Sequence, residues 1–311
     1  MIEGQEDVTW EDWVALAGAC EENGVGTMFR SDHYLSVEDR RERGALDAWA
    51  TIAALGAVTE TLRLGTMVSP ATFRHPAALA KMVVTADHIS GGRVELGLGA
   101  GWWDREHEVY GFDLPPIGPR LDALEEQLQV VRGHWGPGPF DFDGEYYSAV
   151  DLDAQPKPVQ SPHPPLILGG AGGRRSLRLA ARYADEYNVV DADAAKVREV
   201  RAGLDAACEA EGRDPGSLPL STMTGWLVGA DRDELRQRAS RLSEWNGEDG
   251  DGDALLAAQP NSTIQGTVEE AVEQLRELGE AGLTRVMCQH LLHRDLDAVA
   301  LIGREVAPQV V

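Results

Sequence analysis

The sequence is poor in cysteine and lysine and has no long apolar run. Its three cysteines, Cys20, Cys208 and Cys288, are odd in number and far apart. Neither a disulfide framework nor a metal-binding spacing follows from them. Such usage fits a reducing compartment, and a cytoplasmic location is expected. No stretch approaches the ~18 apolar residues of a membrane span, and no basic, apolar leader opens the sequence. Lysine occurs only at Lys81, Lys157 and Lys196, and 52 acidic residues against 28 basic ones give a formal charge of −24. That balance repels nucleic acid and anionic membranes, so neither is expected as a partner. No GxGxxG follows the first predicted strand, which weighs against a dinucleotide-binding open sheet. No GxSxG elbow is present. His88, His134, His163, His290 and His293 have no metal-ligand spacing, so no metal is expected.

What is present is a regular alternation of strand and helix patterns. Helical patterns cover residues 9–22, 46–58, 76–89, 121–135, 176–184, 194–211, 269–279 and 296–306. Strand patterns cover residues 25–29, 62–68, 94–99, 165–168, 187–190, 218–228 and 285–288. Alternation of this length implies right-handed βαβ units and a parallel sheet. Seven or eight repeats favour an α/β fold of the closed (β/α)8 TIM-barrel type, with residues 1–311 as a single domain. Insertions fall near 136–164 and 244–263. In the first, residues 136–150 read as a hairpin turning at Asp143-Gly144, and 154–164 as an extended proline-rich run. The second, acidic and glycine-rich, reads as a mobile loop. Only residues 1–4 precede the first polar segment, where a barrel strand needs about five or six. A clipped first strand, or a natural start upstream of Met1, is expected.

Four segments lie where a barrel builds its active site, at strand C-termini. Ser31-Asp32-His33-Tyr34 ends the first apolar run. An imidazole there can exchange a proton near neutral pH, and Asp32 can accept from a ring N–H. The plainer alternative is a helix-capping Asp32. The second segment runs from Gly65 through Met67-Val68-Ser69 and Phe73 to Pro76, and could be an ordinary connector. The third, Gly97-Leu98-Gly99-Ala100-Gly101-Trp102-Trp103 with Glu106-His107, removes side chains where a flat ligand could approach the backbone. The fourth, Gly169-Gly170-Ala171-Gly172-Gly173-Arg174-Arg175, opens a helix, and free backbone N–H groups beside arginine suit a phosphate.

Together these segments, with Gln155-Pro156-Lys157-Pro158-Val159-Gln160, resemble the luciferase-like monooxygenase family, in its branch of oxidoreductases that use the deazaflavin coenzyme F420. The resemblance covers nearly the whole chain. It implies a (β/α)8 barrel with insertions and a cofactor in the barrel mouth. Asp32 and His33 would face the ring, with His33 and Asp32 as the catalytic pair and Glu106 and His107 as weaker candidates. A non-proline cis peptide, at Met67–Val68 or one residue on, would buttress the ring beside Ser69. Gly99, Ala100, Gly101 and His107 would add contacts. Gly169, Gly170, Ala171 and Gly172 would hold the phosphate, with Arg174 adding charge. In the family's sugar-phosphate dehydrogenase, a tryptophan and a glutamate stand where this chain has Val37 and Trp102, so that reaction is not expected. Phe73, Trp102 and Trp103 instead suggest an apolar substrate pocket. The implied activity is hydride transfer between C5 of F420 and a small organic substrate. An FMN-dependent monooxygenase and a non-catalytic F420-binding protein are the alternatives. A homodimer is implied as well.

Overall fold

The computed structural model describes residues 1–37 and 40–310. Its strands are β1 (Thr27–Arg30), β2 (Arg63–Thr66), β3 (Ser69–Pro70), β4 (Val94–Gly99), β5 (Phe142–Asp143), β6 (Ser148–Ala149), β7 (Leu166–Gly170), β8 (Glu186–Val190), β9 (Leu220–Gly229), β10 (Ile264–Thr267) and β11 (Arg285–Gln289). Its α-helices are α1 (Trp10–Glu22), α2 (Ala48–Val58), α3 (Pro76–Ser90), α4 (Asp104–Tyr110), α5 (Ile117–Trp135), α6 (Arg174–Tyr183), α7 (Ala194–Ala210), α8 (Arg232–Trp245), α9 (Gly252–Ala258), α10 (Val268–Glu280) and α11 (Leu296–Leu301).

The parallel order β1-β2-β4-β7-β8-β9-β11 forms a nearly closed barrel. Residues 1–4 complete it as a very short stave. Ile2 N donates to Phe29 O, Ser31 N to Ile2 O, and His290 N to Met1 O, at 2.9–3.1 Å. Inner strands such as β4 are buried along their whole length, as expected where helices cover a parallel sheet. At the barrel floor Arg285 bonds Glu95 (2.9 Å) and Glu186 (2.7 Å), and Arg63 bonds Glu95 (2.7 Å). This ionic plug lies at the strand N-termini, the face associated with stability.

Local signals explain the helix ends. Thr9 and Asp12 form a capping box on α1, and α3 starts on Pro76 and stops at Gly91 with φ 67°. The 136–150 insertion does form an antiparallel hairpin, β5–β6. The 244–263 segment corrects the expectation of a mobile loop. α8 runs to Trp245, and α9 is capped by Asp251, whose side chain accepts from Ala254 N at 3.0 Å. Leu255 packs with Leu227, Leu235, Ala239 and Leu242. Sparse leucines among glycines and acids were enough to seat a short helix. β9 is long because it pairs with three strands, β8 and β11 along its first half and β10 along its second. No helix among the described residues is long and apolar enough to cross a membrane.

Candidate active site

A cavity of about 860 Å³ opens at the C-terminal ends of the strands. Of the residues singled out from the sequence, His33, Met67, Val68, Gly99, Ala100, Gly101, Trp102, Gly169, Gly170, Ala171 and Arg174 line it. Asp32, Ser69, Phe73, Trp103, His107 and Gly172 do not.

His33 follows β1, and its Nδ1 lies 2.7 Å from Glu106 Oε2 on α4. Glu106 is fully buried. Its other oxygen accepts from the backbone N–H groups of Tyr34 (2.5 Å) and Leu35 (3.2 Å). A carboxylate only accepts, so Nδ1 carries the proton and Nε2 is left with no protein partner among the described residues. Burial opposes the imidazolium, but the bond and charge of Glu106, with Glu3 and Asp32 adding, hold the His33 pKa above its ordinary 6.5. A raised folded-state value has a fixed sign. The pair stabilises the fold fully below pH 6.5, and that stability is lost as pH rises through the higher folded-state value. In Glu106→Gln the His33 pKa, followed by NMR titration of its ring protons, is expected to fall. An unchanged value would separate the two groups.

Asp32, expected against the ring, is not among the residues that line the cavity. Its carboxylate is bound behind β1 by Arg74, at 2.5 and 3.1 Å, and by the hydroxyl of Ser69 at 2.6 Å. Ser69 in turn accepts from Trp49 Nε1 at 3.0 Å, so it belongs to this buried network. Arg74 also bonds Asp47 (2.9 Å) and Tyr34 Oη (2.8 Å). Asp32 therefore anchors the strand end that presents His33.

The Met67–Val68 peptide is cis. Val68 rises from this bulge and rests on two glycines. A Cβ at Gly99 would stand 2.7 Å from Val68 Cγ2, and one at Gly169 would stand 2.8 Å from Val68 Cγ1. These glycines thus make room for Val68 itself, which then forms part of the cavity floor. Gly99→Ala is expected to displace Val68, destabilise the fold by about 1–3 kcal/mol as overpacking does, and weaken cofactor binding. Wild-type affinity in a stable Gly99→Ala protein would refute this role for the bulge.

The fourth segment caps the far side. Gly173 precedes α6 without a side-chain cap, so the first N–H groups of the helix are open to a ligand. Arg174 is exposed beside them and has no acidic partner among the described residues. Arg175, by contrast, is tied to Asp122 and to Gly118 O. Gly172 turns away: its N–H donates to Tyr187 Oη at 2.9 Å, which shapes the loop from behind. The residues present therefore fit a phosphate-bearing planar ring, with an anion site at one end and a bulged floor beside it.

Three further expectations are corrected. His107 is buried, with Nδ1–H donating to Trp103 O and Nε2 accepting from Thr72 Oγ1, both at 2.7 Å. Both ring nitrogens are used internally. Phe73 packs in an aromatic cluster with Tyr34, Phe112 and His107, at centroid distances of 4.8–5.4 Å. Trp103 stacks behind Trp102 at 6.0 Å. Only Trp102 reaches the cavity, at its rim and 61% exposed.

The luciferase-like monooxygenase profile matches residues 2–305. The chain belongs to that family. Within the luciferase-like family, an F420-dependent hydroxymycolic acid dehydrogenase of Mycobacterium tuberculosis is 31% identical over 72% of this chain and 61% of its own length. An FMNH(2)-dependent dimethylsulfone monooxygenase of Pseudomonas putida is 33% identical over 48% of this chain and 42% of its own length. The chain thus spans about half the length of these curated relatives. A coenzyme F420 dependent tetrahydromethanopterin reductase of Methanopyrus kandleri shares the fold, with a TM-score of 0.82 at 20% identity, over 100% of this chain and 98% of that one. Both F420-dependent and FMN-dependent enzymes are therefore relatives.

Several cavity residues of this luciferase-like chain were not signalled by its motifs. Glu3, Glu6, Arg43, Asn188, Trp245 and Gln289 also line the space. Arg43 bonds Glu6 at 2.6 Å and lies 4.2 Å over the Trp245 ring. Nothing local marks these positions, since barrel closure alone brings residues 3–6 beside residue 289. The one available signal was the clipped first strand that residues 1–4 offered as one of two readings, which puts Glu3 near a strand end.

Proposed function

We propose that this protein is an F420-dependent oxidoreductase that moves a hydride between C5 of the deazaflavin and a small organic substrate. The observation that carries the reading is a pair of features in one cavity: His33 with its Nε2 free, and Arg174 unneutralised beside the open N-terminus of α6. F420, when bound, supplies two-electron hydride chemistry at its ring. The chain's own residues bind, orient and move a proton. His33, whose protonated form Glu106 favours, would give its Nε2 proton to a substrate carbonyl oxygen as the carbon gains hydride. In the reverse direction it takes the hydroxyl proton. Leu121 and Leu124 supply an apolar side to the cavity, with Trp102 and Ile117 at its exposed margin. Arg174 and the α6 N–H groups would hold the phosphate, and Arg174 also suits an anionic tail beyond it.

FMN shares the ring shape and the phosphate. The free, exposed Arg174 favours the longer anionic cofactor. Equilibrium binding followed by fluorescence tests this. F420 is expected to bind at least about tenfold tighter than FMN, a difference near 1.4 kcal/mol. Arg174→Ala is expected to weaken F420 binding and to flatten its salt dependence. Tighter FMN binding would overturn the proposal in favour of a monooxygenase, and binding of neither would overturn the cofactor assignment.

A further inference from the structure

Glu3 is nine-tenths buried yet lines the cavity. Its carboxylate ends a directed chain of hydrogen bonds. Gly4 N donates to Ser31 Oγ (2.9 Å), Ser31 Oγ donates to Gln5 Oε1 (2.5 Å), and Gln5 Nε2 donates to Glu3 Oε2 (2.9 Å). From the other side Gln289 Nε2 donates to Glu3 Oε1 (2.7 Å). Gln289 thereby turns one of its two amide N–H groups to Glu3, and its own Oε1 has no protein partner among the described residues. No arginine or lysine bonds Glu3 among those residues, whereas neighbouring Glu6 is neutralised by Arg43 at 2.6 Å. A buried carboxylate held only by neutral amides keeps lone pairs and charge for a further donor.

Position in the ring says which ligand meets it. Residues 1–4 stand between β1 and β11. β7, which leads into the Arg174 end, is four staves away in either direction. Glu3 is therefore diametrically opposite the anion site and one stave from His33. We propose that Glu3, with Gln289, is a specificity-determining acceptor that selects substrates carrying a hydroxyl or ammonium group beyond the reacting carbon. This rests on the reading of the cavity as an oxidoreductase site. It replaces a purely apolar substrate with one that has an apolar body and a donor head. A charge-assisted bond at this point is worth about 1.5–3 kcal/mol, or roughly ten- to 150-fold in affinity.

The test is calorimetric binding to the purified protein of three ring alcohols: cyclohexanol, trans-1,4-cyclohexanediol and trans-4-aminocyclohexanol. The two with a second donor are expected to bind at least about tenfold tighter than cyclohexanol. If the amino alcohol leads, the selected head is ammonium; if the diol matches it, the head is hydroxyl. In Glu3→Gln, which keeps the shape and removes the charge, the advantage is expected to shrink to a few-fold while F420 affinity stays within about threefold. Should Glu3→Gln not fold, Gln289→Leu is expected to shrink it likewise. Equal affinity of the wild type for all three, including binding of none, overturns the proposal. So does a Glu3→Gln protein that keeps the selectivity or loses F420 affinity instead. Failure of the wild type to bind F420 is read in a separate titration. That failure would remove the cofactor assignment without altering the alcohol comparison.

Discussion

Replacing His33 by alanine is expected to lower kcat by about 10²–10⁴-fold, the usual reach of a positioned general acid or base, with little change in the Kd for F420. The side chain is 14% exposed, and Nε2 is the nitrogen without a protein partner among the described residues, because Nδ1 is engaged by Glu106. Alanine removes the proton site and leaves the floor at Val68 and the anion site at α6 intact. The wild-type rate of carbonyl reduction should fall as pH rises through the elevated His33 pKa, since the imidazolium is the donor. In Glu106→Gln that fall should move to lower pH. A His33→Ala protein that turns over within a few-fold of wild type would exclude His33 as the proton site. A wild type that binds F420 but turns over nothing would favour a carrier.

Arg74→Met is the substitution with the largest expected effect on stability. Asp32 is 1% exposed, and its carboxylate depends on both nitrogens of the Arg74 guanidinium. Methionine keeps much of the volume and removes the charge, leaving Asp32 buried with Ser69 as its remaining bond. Breaking a buried pair in this way costs about 3–5 kcal/mol. Arg74 also ties Asp47, the N-cap of α2, and Tyr34, so the loss extends beyond one pair. Urea unfolding should show the midpoint falling with the slope unchanged. A loss below about 1 kcal/mol would place the pair among weakly contributing exposed ones. Because Asp32 immediately precedes His33, a folded Arg74→Met protein is also expected to lose catalytic rate more than cofactor affinity.

Both predictions depend on pairings over long separations in sequence. Asp32 meets Arg74 across 42 residues, and His33 meets Glu106 across 73. The four strand-end segments could be found without coordinates. Polar and glycine residues stand out at the ends of apolar runs, and a barrel places its site there. What each residue does there could not be found in the same way. Asp32, like His33, was expected at the ring from its place at a strand end and from the family resemblance. Successive residues leaving a strand point in opposite directions, and only the position of Arg74 decides which of the two turns inward. His107 and Glu106 are likewise adjacent, and the helical turn of α4 sends one to Thr72 and the other to His33.

By itself the sequence determined the alternation of strands and helices, hence the barrel, the hairpin insertion and the family. These depend on hydrophobic periodicity and turn chemistry, which are local. Tertiary structure alone decided that 244–258 contains a seated helix, that Gly99 and Gly169 receive Val68, and that Glu3 joins Gln289 at the cavity. Periodicity reports which face of an element is apolar. Which polar groups become neighbours is set by the order in which the staves close, and that closure joins residues almost the whole chain apart.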